Sequence, residues 1–424
     1  MVDLPEIYME NEQGGLSIDQ IRSCLAGSIE NRSLKKVLLI PPDITRNNSG
    51  AGLITAIYYD LLEGVQVDIL PALGTHAPMT REEQILFFGE KIPAGRFLVH
   101  KWRDSVTTIG VIPGEFICDV SGGLMNGPMN VEVSNYLLDP SYDLILSIGQ
   151  VVPHEVVGMA NYTKNIVVGC GGSRFISQSH MLGALYGMER LMGRDNSPVR
   201  KTLDYAQEYF ISKLPVEYVL TVTVTEAEKT DIIGLYIGQS REGFNRAAAL
   251  SRKHNITYLE TPIRTCVVWL DDQEFRSTWL GNKAIYRTRM ALADNGRLIV
   301  IAPGVKRFGE DAQNDSLIRK YGYTGRENIL MLCKSDPELS ANLSVAAHLI
   351  HGSPNGRFTV VYAAGGLQRN EVEGVAFEYM PYEEAVDKYR PKYLKQGYNT
   401  TASGEDIFFI SNPALGLWAL KETI

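Results

Sequence analysis

Cysteine is scarce in this chain. Its 424 residues contain 5, Cys24, Cys118, Cys170, Cys266 and Cys333, and no two of them form a CxxC pair. That scatter excludes a disulfide framework and a thiolate zinc site, and it fits a reducing compartment. No run of about 18 apolar residues occurs, so no membrane span is expected. The opening stretch MVDLPEIYMENEQGG is acidic and lacks a basic region followed by an apolar core. It is therefore not read as a signal peptide, and a cytoplasmic location is the expectation. Basic excess is missing too. There are 41 Lys and Arg against 49 Asp and Glu, a net charge of −8, which leaves no electrostatic footprint for nucleic acid or an anionic membrane. Internal repeats, low-complexity tracts and Pro-rich linkers are absent, as are the dinucleotide pattern GxGxxG and the Walker pattern. What remains is globular: 45% apolar and 21% charged residues, over a length that exceeds one ordinary core.

Apolar strand-like runs alternate with helical periodicity. Ile18, Ile21, Leu25 and Ile29 share one helical face, with Ser17 or Asp19 available as a cap. KKVLLIPPD reads as a buried strand, LITAIYYDLLEG as a helix ending on Gly64, and VDILPALG as a second strand. Thr80 with Glu83 forms a capping box opening the next helix. FLVHKW and DLILSIG read as third and fourth strands. This alternation predicts a doubly wound parallel sheet, whose ligands bind beyond the carboxyl ends of the strands. The loops DITRNNSG, GTHAPMT and GQVVPHE stand at those ends. Beyond His180 come two helical stretches, HMLGALYGMERLMG and RKTLDYAQEYFISKL, then a half-exposed strand, VLTVTVT, and a helix, EGFNRAAALSRKH. The alternation restarts with RTCVVWL, RLIVIAP, NILMLCK and RFTVVYAAG as strands, and WLGNKAIYRTRMALADNG as a helix closed by Asn295-Gly296. The expected domains are residues 1–257 and 258–402, with 403–424 returning to the first.

Residues 153–180, PHEVVGMANYTKNIVVGCGGSRFISQSH, place His154, Lys164 and His180 in one glycine-rich, weakly charged run. A lysine between apolar flanks costs solvation free energy unless it is paired or used covalently. His76 and His154 each follow a strand, where an imidazole can do acid–base work near neutral pH, although a lone histidine is more often structural. Asp43, Thr45 and Arg46 form PDITR, which reads either as an Asx-type turn or as an arginine clamp for a carboxylate or phosphate. NNSGAG after it suits anions at a helix start, and GCGGSR resembles a phosphate-cradling loop. His100, His254, His348 and His351 read as structural or surface groups, and the tyrosines as core or interface material.

Together, PDITR, GTHAPMT and the His154–Lys164–His180 series resemble the lactate racemase family, which uses a nickel-pincer nucleotide. That family carries an aspartate–x–threonine–arginine loop and a histidine in a G-x-H-x-P-x-T context. It also has a histidine ten residues before a lysine and a further histidine sixteen residues after it, spacings matched here at 154, 164 and 180. The resemblance implies two Rossmann-like α/β domains with the active site in the cleft between them. It implies that Lys164 tethers the nucleotide through a thioamide, with Asp43 and Thr45 contacting the cofactor, and that His180 ligates nickel. His76 and His154 would exchange protons on opposite faces of a small 2-hydroxy acid as hydride leaves C2 and returns through a 2-keto acid. Arg46 and Lys283 would bind the carboxylate beside Trp279, and the partners would include the enzymes that make the cofactor.

The chain also departs from that family. A tyrosine–glutamine pair before the second-domain lysine is Trp279-Leu280 here, and a glycine–glycine–arginine before the tether is Asn161-Tyr162-Thr163. The family's second-domain tryptophan has no counterpart near ELSANLSVAAHLI. These departures point to a substrate other than lactate, larger or more polar, such as a sugar acid epimerised at C2. Two further readings stand beside this one: a Schiff-base lysine enzyme, and a non-catalytic two-domain anion-binding protein.

Overall fold

A computed structural model describes residues 6–226 and 229–421. The first five residues, Ala227-Glu228 in the strand-rich passage and the last three residues of the expected returning segment lie outside the described residues. The chain divides into two compact α/β units. One comprises residues 1–182 and 193–255, the other 183–192 and 256–424.

The first unit is built on a six-stranded sheet in the order Ile7–Glu10, Lys229–Gly238, Val216–Glu226, Leu144–Gln150, Lys36–Ile40, Gln66–Ile69. The last four of these run parallel, and the first two close one edge antiparallel. Each central strand is apolar on both faces because the sheet is covered on both. Leu38, Ile40 and Ile145 enter one core, whereas Val37, Leu39, Leu144 and Leu146 enter the other. The helix Ile18–Ile29 starts at a capping box of Ser17 with Gln20, and Arg81–Phe88 starts at one of Thr80 with Glu83. VLTVTVT is not half exposed: Val216–Glu226 is buried along most of its length. Its threonines tolerate this because Thr221 and Thr223 donate to the carbonyls of Ser49 and Asn48 at 2.7 and 2.8 Å. FLVHKW is not a strand either. Phe97 makes an isolated bridge to Ile69, and the chain then turns away as His100 donates to the Gly171 carbonyl.

The second unit carries a sheet in the order Glu378–Tyr379, Phe358–Ala364, Leu292–Ala302, Ile263–Trp269, Asp406–Ile410, Gly397–Thr400, with only the last strand antiparallel. The expected return of residues 403–424 to the first domain does not occur. Asp406–Ile410 pairs with Ile263–Trp269, and Leu417–Leu420 pairs with Ile256–Leu259, all within the second unit. NILMLCK lies in a helix, Arg326–Ser335, with only Ile329 fully buried. WLGNKAIYRTRMALADNG supplies two short helices, Thr278–Gly281 and Lys283–Thr288, and then the start of Leu292–Ala302. Asn295-Gly296 therefore lies inside a strand and closes no helix. Among the described residues no helix is long and apolar enough to cross a membrane.

Candidate functional site

The loops beyond the parallel strands of the first unit hold the residues singled out from sequence. After Lys36–Ile40, Asp43 caps the short helix Ile44–Ser49, with Oδ1 accepting from the Thr45 N–H at 3.0 Å and from the Thr45 hydroxyl. Its other oxygen, Oδ2, lies 2.6 Å from Nδ1 of His76, which stands beyond the neighbouring strand Gln66–Ile69. The two loops run together from the sheet, with a parallel bridge between Pro42 and Ala72. Burial alone would raise the Asp43 carboxyl. The hydrogen bond and charge of His76, helped by Arg46 and Thr45, outweigh it and hold the group at about 2. The carboxylate is therefore ionised at neutral pH and accepts the Nδ1 proton. The His76 lone pair is left on Nε2, with the side chain 34% exposed against 6% for Asp43. Arg46 packs its Nη1 3.1 Å from the Thr45 hydroxyl. Asp43 and Thr45, expected to contact a cofactor, are thus engaged with His76 and with each other.

Lys164 enters a π-helical turn, Asn165–Gly169, closed by the Cys170 N–H on the Asn165 carbonyl at 3.1 Å. Such turns are uncommon and concentrate at functional sites. The approach to it is strained, because Asn161 and Tyr162 both adopt the left-handed region, at φ 67° and 59°. Several contacts hold them there. Asn161 Oδ1 accepts from the Tyr162 N–H at 2.7 Å, and the Tyr162 hydroxyl donates to Gln239 O at 3.0 Å. Fully buried Arg200 donates to the carbonyls of Met159 and Asn161 at 2.6 and 3.3 Å. Asn165 donates to Ser147 Oγ and Ile40 O at 3.0 and 3.2 Å, docking the turn on two neighbouring strands. Gly74 N–H donates to Gly169 O at 2.8 Å, which ties the His76 loop to the Lys164 turn. The Lys164 side chain makes no hydrogen bond or ion pair among the described residues, and the residue is half-buried. Desolvation, with the charges of Arg46 and Arg200, brings its ammonium down to about 8 against the opposing pull of Glu155 and Asp43.

His180 sits on the helix Ser173–Tyr186, with Nδ1 2.6 Å from the Ile176 carbonyl one turn back. A carbonyl only accepts, so Nδ1 carries the proton and the Nε2 lone pair is left for a ligand. Burial pushes the ring down to about 4, and Lys164 adds to this while the Ile176 bond and Glu155 oppose it. His154, 8% exposed, has the opposite tautomer: its Nδ1 accepts the Val156 N–H at 3.1 Å.

GCGGSR is no phosphate cradle. A β-carbon on Gly171 would overlap the Val167 carbonyl, and one on Gly172 would overlap the Glu132 carboxylate. Glu132 also accepts the Arg174 N–H at 3.3 Å, so a carboxylate already stands at this helix start. In the second unit, Lys283 is 12% exposed in its side chain, with Nζ 3.9 Å from Glu274 Oε1 and 5.5 Å from the Phe275 ring centre. Trp279 stacks on His348 at 4.3 Å. His348 is pinned between the hydroxyls of Tyr286 and Tyr323 at 2.9 and 2.8 Å, and burial lowers it to about 3. Sequence reasoning missed Arg200 and Asn165. Nothing local distinguishes Arg200 from a surface arginine, whereas Asn165 adjoins the lysine already singled out.

Residues 19–190 match the lactate racemase N-terminal domain family. The chain resembles a structural-genomics crystal structure of a Thermotoga maritima protein, at 26% identity and TM-score 0.83, over 97% of this chain and 100% of that one. It shares its fold with the lactate racemase apoprotein from Thermoanaerobacterium thermosaccharolyticum, at 16% identity and TM-score 0.67, over 96% of this chain and 90% of that one. No curated protein matches it.

Proposed function

We propose, from the match of residues 19–190 to the lactate racemase N-terminal domain family, that the chain is an isomerase inverting C2 of a 2-hydroxy acid. The observation that carries this reading is the pair Lys164 and His180, a desolvated amine and an imidazole whose Nδ1 is bonded to the Ile176 carbonyl, which leaves its lone pair on Nε2.

A nickel-pincer nucleotide fits that pair. Among the described residues no three His, Cys, Asp or Glu side chains gather to hold a metal. A metal here would have to bring most of its donors with it, which a pincer ring does, leaving one position for imidazole. Lys164 would hold the nucleotide as an amide-type linkage, its charge removed, and His180 would supply the ligand nitrogen. When bound, the group supplies a reversible acceptor for the C2 hydride.

The chain's own residues do the rest. His76 Nε2 takes the hydroxyl proton, and the Asp43 carboxylate stabilises the imidazolium that results. Arg46 is the carboxylate-binding residue of the proposal. With Trp279-Leu280 in place of the family's tyrosine–glutamine pair, the substrate of the proposal is larger or more polar than lactate, such as a sugar acid. Loading the tether requires cofactor-making enzymes as partners.

The test is intact-mass analysis of protein co-produced with those enzymes, followed by a 2-hydroxy acid panel scored by loss of optical activity. A mass adduct that Lys164→Arg abolishes, bound nickel, and retention of C2 deuterium in a mixed-label crossover are expected. Absence of both adduct and nickel rejects the reading. A lowered lysine also suits Schiff-base chemistry, and borohydride trapping of a carbonyl substrate on Lys164 would favour that alternative.

A further inference from the structure

The central strand Leu144–Gln150 is buried throughout until its last residue, which is half-buried. We propose that this residue, Gln150, determines substrate specificity by accepting a hydrogen bond from a hydroxyl carried beyond C2. The role rests on the function proposed above and narrows its substrate to a polyhydroxy acid.

Gln150 stands where the parallel strands end. It lies in register with Thr221 of the neighbouring strand Val216–Glu226, which runs on past it and pairs antiparallel with Lys229–Gly238. This antiparallel pair therefore projects beyond the strand carboxyl ends, the side on which such sheets bind their ligands. The short helix Ile44–Ser49, which carries Arg46, lies against the projecting pair. Thr221 and Thr223 donate to its Ser49 and Asn48 carbonyls at 2.7 and 2.8 Å. Gln150 also opens the loop that leads to His154.

The orientation of the amide follows from counting protons. The Asn48 carbonyl only accepts, so the single proton of the Thr223 hydroxyl is committed to it. Gln150 lies 2.7 Å from the same hydroxyl oxygen and has to donate there, which turns its amide nitrogen to Thr223 and Oε1 away. Thr223 is 2% exposed, so the anchor belongs to the packed interior. Oε1 accepts no hydrogen bond among the described residues, and it is not one of the buried atoms left without a partner. It is an oriented acceptor open to solvent.

An atom that can only accept selects by chemistry. A chain hydroxyl donates to it. An alkyl chain would strip its water and return no hydrogen bond, and a second carboxylate would set oxygen against oxygen. With Arg46 on the substrate's carboxylate, Gln150 favours hydroxylated chains over alkyl 2-hydroxy acids and over diacids.

The test is kcat/KM of full-length, cofactor-loaded enzyme on six-carbon aldonates, 2-hydroxyhexanoate and 2-hydroxyadipate, which share a carboxylate and a C2 hydroxyl. Wild-type enzyme should prefer the best aldonate to either of the others by about a hundredfold. Gln150→Leu should cut the aldonate-to-hexanoate ratio about thirtyfold, with the loss in KM, whereas Gln150→Glu, which keeps an acceptor, should retain most of it. Thr223→Val, which removes the anchor and keeps the glutamine, should lower the same ratio about tenfold. A ratio unchanged in Gln150→Leu overturns the role, as do Leu and Glu variants that behave alike. So does a wild-type enzyme that prefers 2-hydroxyhexanoate or 2-hydroxyadipate. All three results leave the isomerase reading standing. Absence of turnover by loaded wild-type enzyme on every 2-hydroxy acid overturns that reading and this role with it.

Discussion

Asp43 Oδ2 lies 2.6 Å from His76 Nδ1, and Asp43 Oδ1 is occupied by Thr45, so a single buried carboxylate both shapes its own loop and fixes the tautomer of the histidine beyond the next strand. Asp43→Asn keeps the shape and removes the charge. Loss of kcat by about 10² to 10⁴ is expected, measured with the enantiomer pair the enzyme turns over best. The carboxyl is held at about 2, below the usual unfolded value, so its stabilisation is fully present above pH ~4 and is lost as pH falls through about 2. Urea unfolding should show the variant about 1–2 kcal/mol less stable at pH 7, with the gap closing across that acid window.

Lys164 carries the opposite sign. Its ammonium titrates near 8 in the folded chain, so between pH ~8 and pH ~10 the unfolded chain binds more protons and stability rises with pH. Below that window the buried charge is a cost. Lys164→Met should therefore stabilise cofactor-free protein by about 2 kcal/mol at pH 7. The gain should fade towards pH 10 in the same unfolding measurement.

The left-handed backbone at Asn161 inverts an ordinary preference. Alanine and glycine both remove the side-chain acceptor of the Tyr162 N–H, so the difference between the two variants isolates the cost of a β-carbon at φ 67°. Asn161→Gly should be more stable than Asn161→Ala by about 1 kcal/mol, the reverse of their order in a helix. Midpoints of thermal unfolding for the two variants decide it.

Gly171 is expected to be intolerant for a reason of space. A methyl group there meets the Val167 carbonyl inside the turn that follows Lys164. Gly171→Ala should cost about 2–3 kcal/mol. It should also reduce the yield of Lys164 adduct in co-produced protein, read by intact mass.

Much of the first unit could be read from its sequence because its strands are apolar throughout and their loops are polar, so strand ends announce themselves. The cap at Ser17, with Asp19 as its alternative, and the capping box at Thr80 were legible for the same local reason. What escaped depends on contacts far apart in the chain. Thr221 and Thr223 look like an exposed face until the carbonyls of Ser49 and Asn48 are brought to them. Residues 403–424 carry no mark of which sheet they join. Ile329, Leu330 and Cys333 fit a helix as well as a strand, and only Ile329 is buried deeply enough to settle the matter. At the site, residue types and spacing pointed to Asp43, His76, Lys164 and His180. The partnership of Asp43 with His76 needed two neighbouring parallel strands, which no spacing in the sequence reveals.

The nitrogen that His180 presents is chosen by the Ile176 carbonyl, a main-chain group of its own helix. No side-chain replacement at position 176 that keeps the helix can remove that acceptor. The choice is inherited with the helix itself, so sequence drift around His180 can proceed without altering which ring nitrogen carries the lone pair.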